Sequence, residues 1–335
     1  MQRLTMTRDS IRGLLFGLLV WLAMILPSAL PAAERIRASY AAANASQSPL
    51  WVAQARGFFA KYGLDVDLLY ISSGSLNVQA LIGTTVHFAA GGPAALEARL
   101  RGPKLLTIAN PLTVLASNLV SLPEIKSIAD LKGRIGGISR FGSSTHQGLR
   151  YLFRANGLSV ETDLKMLQLG GDSSRLVALK TGKVHYTFLG GAASEQAKSQ
   201  GLKILATAKQ MEIPFPWTSV VVNEAWLDAN RDVAYRYVKA VTEAIWFMKH
   251  NRAESERVIA KYMRLDDSRL VAVEYDFNVA LFPDLPYPTI EGMRLILENL
   301  IAENPEFARR DPKEFADSSI VDRLKREQFL ESLKK

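Results

Sequence analysis

Residues 139–153, SRFGSSTHQGLRYLF, concentrate the side chains best suited to hold a ligand. Gly142 lets the chain turn sharply after the apolar run RIGGIS, and Ser143, Ser144 and Thr145 then offer three hydroxyls where a helix begins. A helix start has backbone N–H groups without intrahelical acceptors and the positive end of the helix dipole. Hydroxyls and N–H groups together make a cradle for an anion or a polar group. The same residues serve elsewhere as plain N-caps; the position directly after a strand favours a ligand here. Comparable helix starts fall near Ser48 and Pro49, at Ser75 and at Ser173, with Ser46 and Gln47 in the turn before the first. In IPFPWTSVVVNEAWL (213–227), Trp217 follows two prolines and precedes a β-branched strand, where it either stacks on a ligand at a cleft mouth or packs under a hinge. Trp51, Phe58 and Phe59 sit at helical positions and read as core.

Other chemistry finds little support. The chain has no cysteine, which excludes disulfides, thiol catalysis, zinc-thiolate and iron–sulfur sites, and a lipid-modified cysteine. The four histidines, His87, His146, His185 and His250, are far apart and form no H-x-x-x-H pair, so no metal is expected. No G-x-S-x-G elbow, Walker loop, G-x-G-x-x-G fingerprint or H-E-x-x-H pair occurs, so neither an enzyme nor a cofactor is expected.

These turns need strands and helices to place them. Short β-like runs at 35–41, 64–71, 86–90, 104–109, 134–139, 164–169, 184–189 and 202–208 alternate with helical stretches, and VVVN (220–223) reads as a crossing strand. That alternation marks an α/β fold of sheets covered by helices. Glycines close several helices; Gly157 suits a left-handed cap after QGLRYLFRANG, whose Leu149, Leu152 and Phe153 share a face. From residue 228 onward the pattern predicts helices over 228–250, 252–263, 267–281, 289–303 and 316–333. An internal near-repeat aligns SGSLNVQALIGTTVHF (73–88) on GDSSRLVALKTGKVHY (171–186) without a gap, pairing Val86-His87 with Val184-His185. Gly91 and Gly92 follow the first copy, Gly190 and Gly191 the second. Either any βαβ unit would carry such caps and the histidines coincide, or two lobes of similar build face each other across a cleft. In open α/β sheets, ligands collect where helix N-termini converge at the strand ends.

The amino terminus reads as an export signal. Arg3, Arg8 and Arg12 precede the apolar run GLLFGLLVWLAMIL (13–26), and PSALPAAE follows, placing cleavage after Ala32 or Ala33. The run is shorter than the roughly 20 residues that span a bilayer. Residues 1–33 are therefore expected to be removed, leaving a chain of about 300 residues, the length of two domains. Removing three Arg and Asp9 leaves 38 Lys+Arg against 32 Asp+Glu, a net charge of +6. The basic residues are scattered and make no run of five, so nucleic acid is not an expected partner.

The segments 48–66, 73–92, 125–153 and 178–189, in that order and spacing, resemble the periplasmic substrate-binding proteins of bacterial ABC uptake transporters. The group is that for nitrate, sulfonate, taurine and thiamine precursors, the SsuA/THI5-like (NMT1) family. The resemblance implies a two-lobed type II binding-protein fold, each lobe a mixed, mostly parallel sheet flanked by helices. Lobe one would be residues 34–117 with 222–335, and lobe two 118–221. A small anionic or zwitterionic organic ligand would be captured between them by hinge closure. The ligand-facing turns it implies are Ser46, Gln47 and Ser48; Gly74 and Ser75; Gly91 and Gly92; Ser143, Ser144 and Thr145; Gly171 and Asp172; and Gly190 and Gly191. Arg140 and the positive charge favour an anion, while Asp172 suits an amine. A periplasmic, unlipidated monomer that docks on a membrane permease is implied. A sensor presenting its closed form to a membrane receptor is an alternative. A biosynthetic enzyme making the thiamine pyrimidine is opposed by the missing cysteines and the export signal.

Overall fold

A computed structural model describes residues 33–334; the expected signal peptide up to residue 32 lies outside the described residues. No helix among them is long and apolar enough to cross a membrane. Among the described residues nine strands run in order: β1 (Glu34–Tyr40), β2 (Leu64–Tyr70), β3 (Leu105–Val114), β4 (Asn118–Ser121), β5 (Ile135–Ile138), β6 (Lys165–Gln168), β7 (Tyr186–Leu189), β8 (Lys203–Ala206) and β9 (Pro214–Asn223). The helices that matter below are α1 (Ser48–Ala55), α2 (Gly74–Ile82), α3 (Gly92–Leu100), α4 (Ser144–Ala155), α5 (Asp172–Lys180), α6 (Gly191–Ser199), α7 (Arg231–His250), α8 (Arg252–Met263), α9 (Ser268–Val279), α10 (Ile290–Glu303) and α11 (Ser319–Arg326).

The molecule is α/β with two separate sheet systems. In the first half β1 pairs with β2, and β3 pairs antiparallel with β9 from Val114 opposite Pro214 to Leu105 opposite Asn223. The segment expected as a strand at 86–90 makes only isolated bridges, Ala38 with Phe88 and Ala89 with Val221, yet these join the two pairs into one surface. In the second half the sheet runs β6-β5-β7-β4-β8. Its β5 ladders to β6 and β7 are parallel, and its β4 ladders to β7 and β8 are antiparallel. Parallel pairing, expected from the sequence, is present in the ladders of β5 with β6 and β7 and in the Ala38–Phe88 bridge, beside the antiparallel β3–β9, β4–β7 and β4–β8 pairs. Strand β4, NLVS, has no period-2 contrast because all four of its residues are buried, which hides it from pattern reading.

Two boundaries shift in the C-terminal region. The helix expected over 228–250 breaks at Asn230 into Glu224–Ala229 and α7, and that expected over 316–333 becomes α11 and a last turn, Phe329–Ser332, parted at Gln328 with φ +51°. Gly157 does close α4 with φ +71°. Trp51 is fully buried and stacks on Tyr262 at 5.2 Å, and Phe59 stacks on Tyr237 at 5.1 Å. Both are core residues, as expected.

The internal near-repeat has a structural counterpart. His87 Nδ1 accepts the N–H of Arg37 at 3.0 Å, and His185 Nδ1 accepts the N–H of Ile135 at 2.9 Å. The backbone repeats the pattern, His87 N–H to Arg37 O at 2.8 Å and His185 N–H to Ile135 O at 2.7 Å. In each half the histidine ring clasps a backbone N–H on the neighbouring strand, and Ala38 with Phe88 matches Gly136 with Tyr186 in parallel register. Two units of the same strand–helix–strand build therefore present their helix N-termini from opposite halves.

Candidate functional site

A cavity of about 60 Å³ lies where the starts of α2, α4 and α5 meet the turn before α1. Its wall includes Asn44, Ser46, Gln47, Ser73 and Gly74 from the first half, and Ser139, Ser143, Ser144, Thr145, Gly171, Asp172 and Arg175 from the second. Trp217 on β9 completes it and also packs against the cores of both halves, which fits the expected packing role.

On the α4 side, three hydroxyls form a triangle. Ser139 Oγ donates to Ser143 Oγ at 2.9 Å, and both lie 3.0 Å from Thr145 Oγ1. Thr145 Oγ1 also accepts the N–H of Ser139 at 2.9 Å, which locks strand end to helix start. Ser143 caps α4 by accepting from His146 N–H. Ser144 is held only by a long 3.4 Å bond to Trp217 O, so its hydroxyl is the freest of the group. His146 Nδ1 accepts from Gly142 N–H at 3.0 Å, and burial, with Arg150 nearby, pushes its pKa down to about 4. A neutral ring thereby fixes the Gly142 turn, whose φ is +76°.

Facing the triangle is an ion pair. Arg175, 3% exposed, bonds Asp172 Oδ1 at 2.5 Å, Phe188 O through Nε and Nη2, and Gly170 O through Nη1. Asp172 Oδ2 accepts from Gly190 N–H at 2.8 Å and from Asn44 Nδ2 at 3.2 Å. Asp172 is therefore committed to protein donors on both oxygens. In the first half, Gln47 Nε2 donates to Ser46 Oγ and Thr218 Oγ1, and Ser46 Oγ donates to Asn44 Oδ1 at 2.6 Å. Ser73, a non-glycine residue at φ +80°, carries left-handed strain at the cavity edge.

Of the residues named from sequence, Ser46, Gln47, Gly74, Ser143, Ser144, Thr145, Gly171, Asp172 and Trp217 line this cavity. The others lie elsewhere. Ser48 is fully buried and donates to Ala45 O. Ser75 turns to the outer face, where its hydroxyl donates to Phe141 O across the halves at 2.7 Å. Gly91 and Gly92 serve packing: a Cβ on Gly91 would lie 2.6 Å from Gly74 O, and one on Gly92 would strike Ser219 Oγ. Gly190 lies behind Asp172, and a Cβ on Gly191 would press on Phe277 at 3.0 Å. Arg140 is exposed and outside the wall, whereas Arg175, unnamed from sequence, supplies the cation. Its one sequence signal is the i,i+3 spacing from Asp172 in GDSSR, which an exposed helix face shows equally well.

The family model described as NMT1/THI5 like matches residues 44–255. The chain belongs to that family. A Brucella abortus protein provisionally named a binding protein is 26% identical over 243 residues, 70% of this chain and 73% of that protein. Among solved structures, a Bordetella bronchiseptica protein superposes with TM-score 0.77 at 20% identity, covering 88% of this chain and 98% of its own. The alkanesulfonate-binding protein SsuA of Xanthomonas axonopodis, bound to MOPS, gives 0.69 at 19% identity, with 87% and 100% covered. The chain thus shares a two-lobed binding-protein fold with these structures, and the Brucella and Xanthomonas relatives are named as binding proteins.

Proposed function

We propose that this NMT1/THI5-like chain is an extracytoplasmic solute-binding protein. It closes two lobes over a small anionic or zwitterionic organic molecule and delivers it to an ABC-type permease. The observation that carries this reading is the cavity itself: polar, enclosed between helix starts of two separately built halves, and furnished with hydroxyls on one side and a buried cation on the other. A ligand acceptor group suits Ser144 and the free N–H groups of the α4 and α2 starts. Four N–H donors of Arg175 are engaged within the chain, leaving a fifth for the ligand. The cavity is well under the roughly 150 Å³ that holds a benzene ring, so it takes a compact polar head group.

The lobes are proposed as 34–117 with 222–335 and 118–221, crossing near 115–117 and within β9. The export signal at 1–33, the lack of cysteine and the likeness to SsuA support a periplasmic, unlipidated receptor, proposed to act as a monomer. A thermal-shift screen of the mature protein against sulfonates, carboxylates, zwitterions and amines tests the ligand class. A true ligand at about a hundredfold its Kd adds about 2.7 kcal/mol, a rise of about 4 °C for a chain of this length. Stabilisation by cations alone would overturn the anion reading.

A further inference from the structure

Helices α3 and α6, one in each half, begin alike. Each has nine residues; α3 is capped by Gly91 and opens Gly92-Pro93, and α6 is capped by Gly190 and opens Gly191-Ala192. The second residue of a helix has a backbone N–H with no intrahelical acceptor, so proline serves there. Pro93 does so in α3 and Pro49 in α1. Ala192 keeps the N–H that Pro93 lacks, and that N–H leaves its own half. It donates at 2.7 Å to Oε1 of Glu274, on α9 in the first half.

Glu274 is 1% exposed and takes no part in the cavity wall. Its Oε2 accepts the N–H of Ala45 at 3.0 Å and an Nδ2–H of Asn278 at 3.3 Å. All three groups that reach the two oxygens are donors, the partners of an ionised carboxylate. Ala45 opens the turn that carries Ser46 and Gln47, two residues of the cavity wall. Ala192 lies two residues after Gly190, whose N–H holds Asp172 Oδ2 at 2.8 Å. Helix α9 itself is fixed in the first half: the Tyr275 hydroxyl donates to Met248 O on α7 at 2.6 Å, and Arg252 of α8 grips Asp276 through two bonds.

We infer that Glu274 is a positioning residue of the ligand site: its carboxylate holds the Ser46–Gln47 turn and the α6 start behind Asp172 at one spacing, and so favours the closed cleft without touching the ligand. The inference rests on the reading of two lobes that open and close, but not on which ligand they take. An amide in place of the carboxylate separates the two functions. The one oxygen of Glu274→Gln can keep Ala45 and Asn278, both in the first half, but its NH2 group then meets the Ala192 N–H donor to donor. The first half keeps its bonds, and the contact between lobes is lost.

The test uses ligand-free mature protein, whose lack of cysteine permits nitroxide labels at Val177→Cys on α5 and Asp65→Cys on β2, both exposed. Burial pushes the Glu274 carboxyl up to about 7, so the measurement is made at pH 8.5, where it is ionised. Pulsed electron paramagnetic resonance then reads the interlobe distance. Wild type is expected to show a short, narrow component. Glu274→Gln, and Ala192→Pro with Glu274 left intact, are each expected to lower the ratio of short to long distances at least about tenfold, the worth of one hydrogen bond to a charged group. Amide exchange in Glu274→Gln should be at least about tenfold faster at Ala192 and unchanged at Ala45. No short component in wild type, wild-type distances in either variant, or equal acceleration at both amides, as a merely structural loss would give, overturns the assignment. Should Glu274→Gln fail to fold, the distances in Ala192→Pro decide alone, since proline is native to that position in α3. The expected distances with no hit in the anion screen would leave Glu274 its role and remove the ligand class.

Discussion

Ser144 and Thr145 adjoin in sequence, yet they do different work. Thr145 Oγ1 takes the N–H of Ser139 and closes the hydroxyl triangle, so it holds the start of α4 against the end of β5. Ser144 has only its long bond to Trp217 O and can turn to a ligand. Ser144→Leu is expected to fill the cavity and weaken binding at least a hundredfold by isothermal titration, while the urea midpoint stays within about 1 kcal/mol of wild type. Thr145→Val keeps the side-chain shape but orphans the Ser139 N–H, and is expected to cost about 1–3 kcal/mol of stability as well as affinity. Affinity unchanged in Ser144→Leu would remove this cradle from the site. The serine cluster was legible from sequence as a helix start, because hydroxyls after a glycine turn satisfy free N–H groups there, although sequence leaves open which of them cap and which face the cavity. Arg175 was not, because a single arginine inside a helix looks the same whether it faces water or a cavity. Only the fold reveals that it is buried against Phe188 O and Gly170 O.

At the scale of elements, the glycines explain where sequence reasoning located a feature but mistook its purpose. Gly91 and Gly92 follow the 86–90 segment as Gly190 and Gly191 follow β7, and both pairs read as ligand-facing turns. A missing Cβ serves close backbone packing as readily as ligand approach, and sequence does not distinguish the two. Here a Cβ on Gly74 would lie 2.9 Å from Gly91 Cα, so the glycines let α2 and α3 start side by side. A Cβ on Gly292 of α10 would come within 2.8 Å of Phe215 Cα on β9, where backbone cannot yield as a flexible side chain can. Gly292→Ala is expected to lower stability by about 1–3 kcal/mol in urea unfolding. An unchanged midpoint would show that α10 shifts off β9 at little cost. The repeat was more informative than either glycine pair: the histidine clasps, Arg37 with His87 and Ile135 with His185, sit on equivalent strands. Strand β4 and the break at Asn230 escaped notice because full burial erases alternation and an asparagine turn leaves the helical period intact.

For the molecule as a whole, the question is whether the two halves unfold separately. Their sheets are distinct, which by itself suggests two transitions. The apolar core argues otherwise. One cluster joins Leu149, Leu152 and Phe153 of α4 to Leu96 of α3 and to Met293, Ile296, Leu297 and Leu300 of α10, so each half completes the other's core. Arg150 of α4, 8% exposed at its side chain, adds an ion pair to Glu303 of α10 at 2.6 Å, and Asn299 Nδ2 donates to Gln147 O. The other contacts between halves are the hydrogen bonds Ala192 N–H to Glu274, Asn44 to Asp172 and Ser75 to Phe141 O, with only the close approach of Gly191 to Phe277 beside them. Polar contacts exchange with water at small net cost, whereas separating a shared apolar core exposes its surface. Opening is therefore expected to pivot at α4 and α10 and to part at the Glu274 side. Calorimetry of the ligand-free mature protein is accordingly expected to show one endotherm. Leu297→Ala, which empties the shared core, should lower that single transition by about 2–5 kcal/mol without splitting it. Two resolved endotherms in wild type would mean that α10 binds α4 too weakly to be the pivot, and the hinge would then have to lie in β3 and β9 alone.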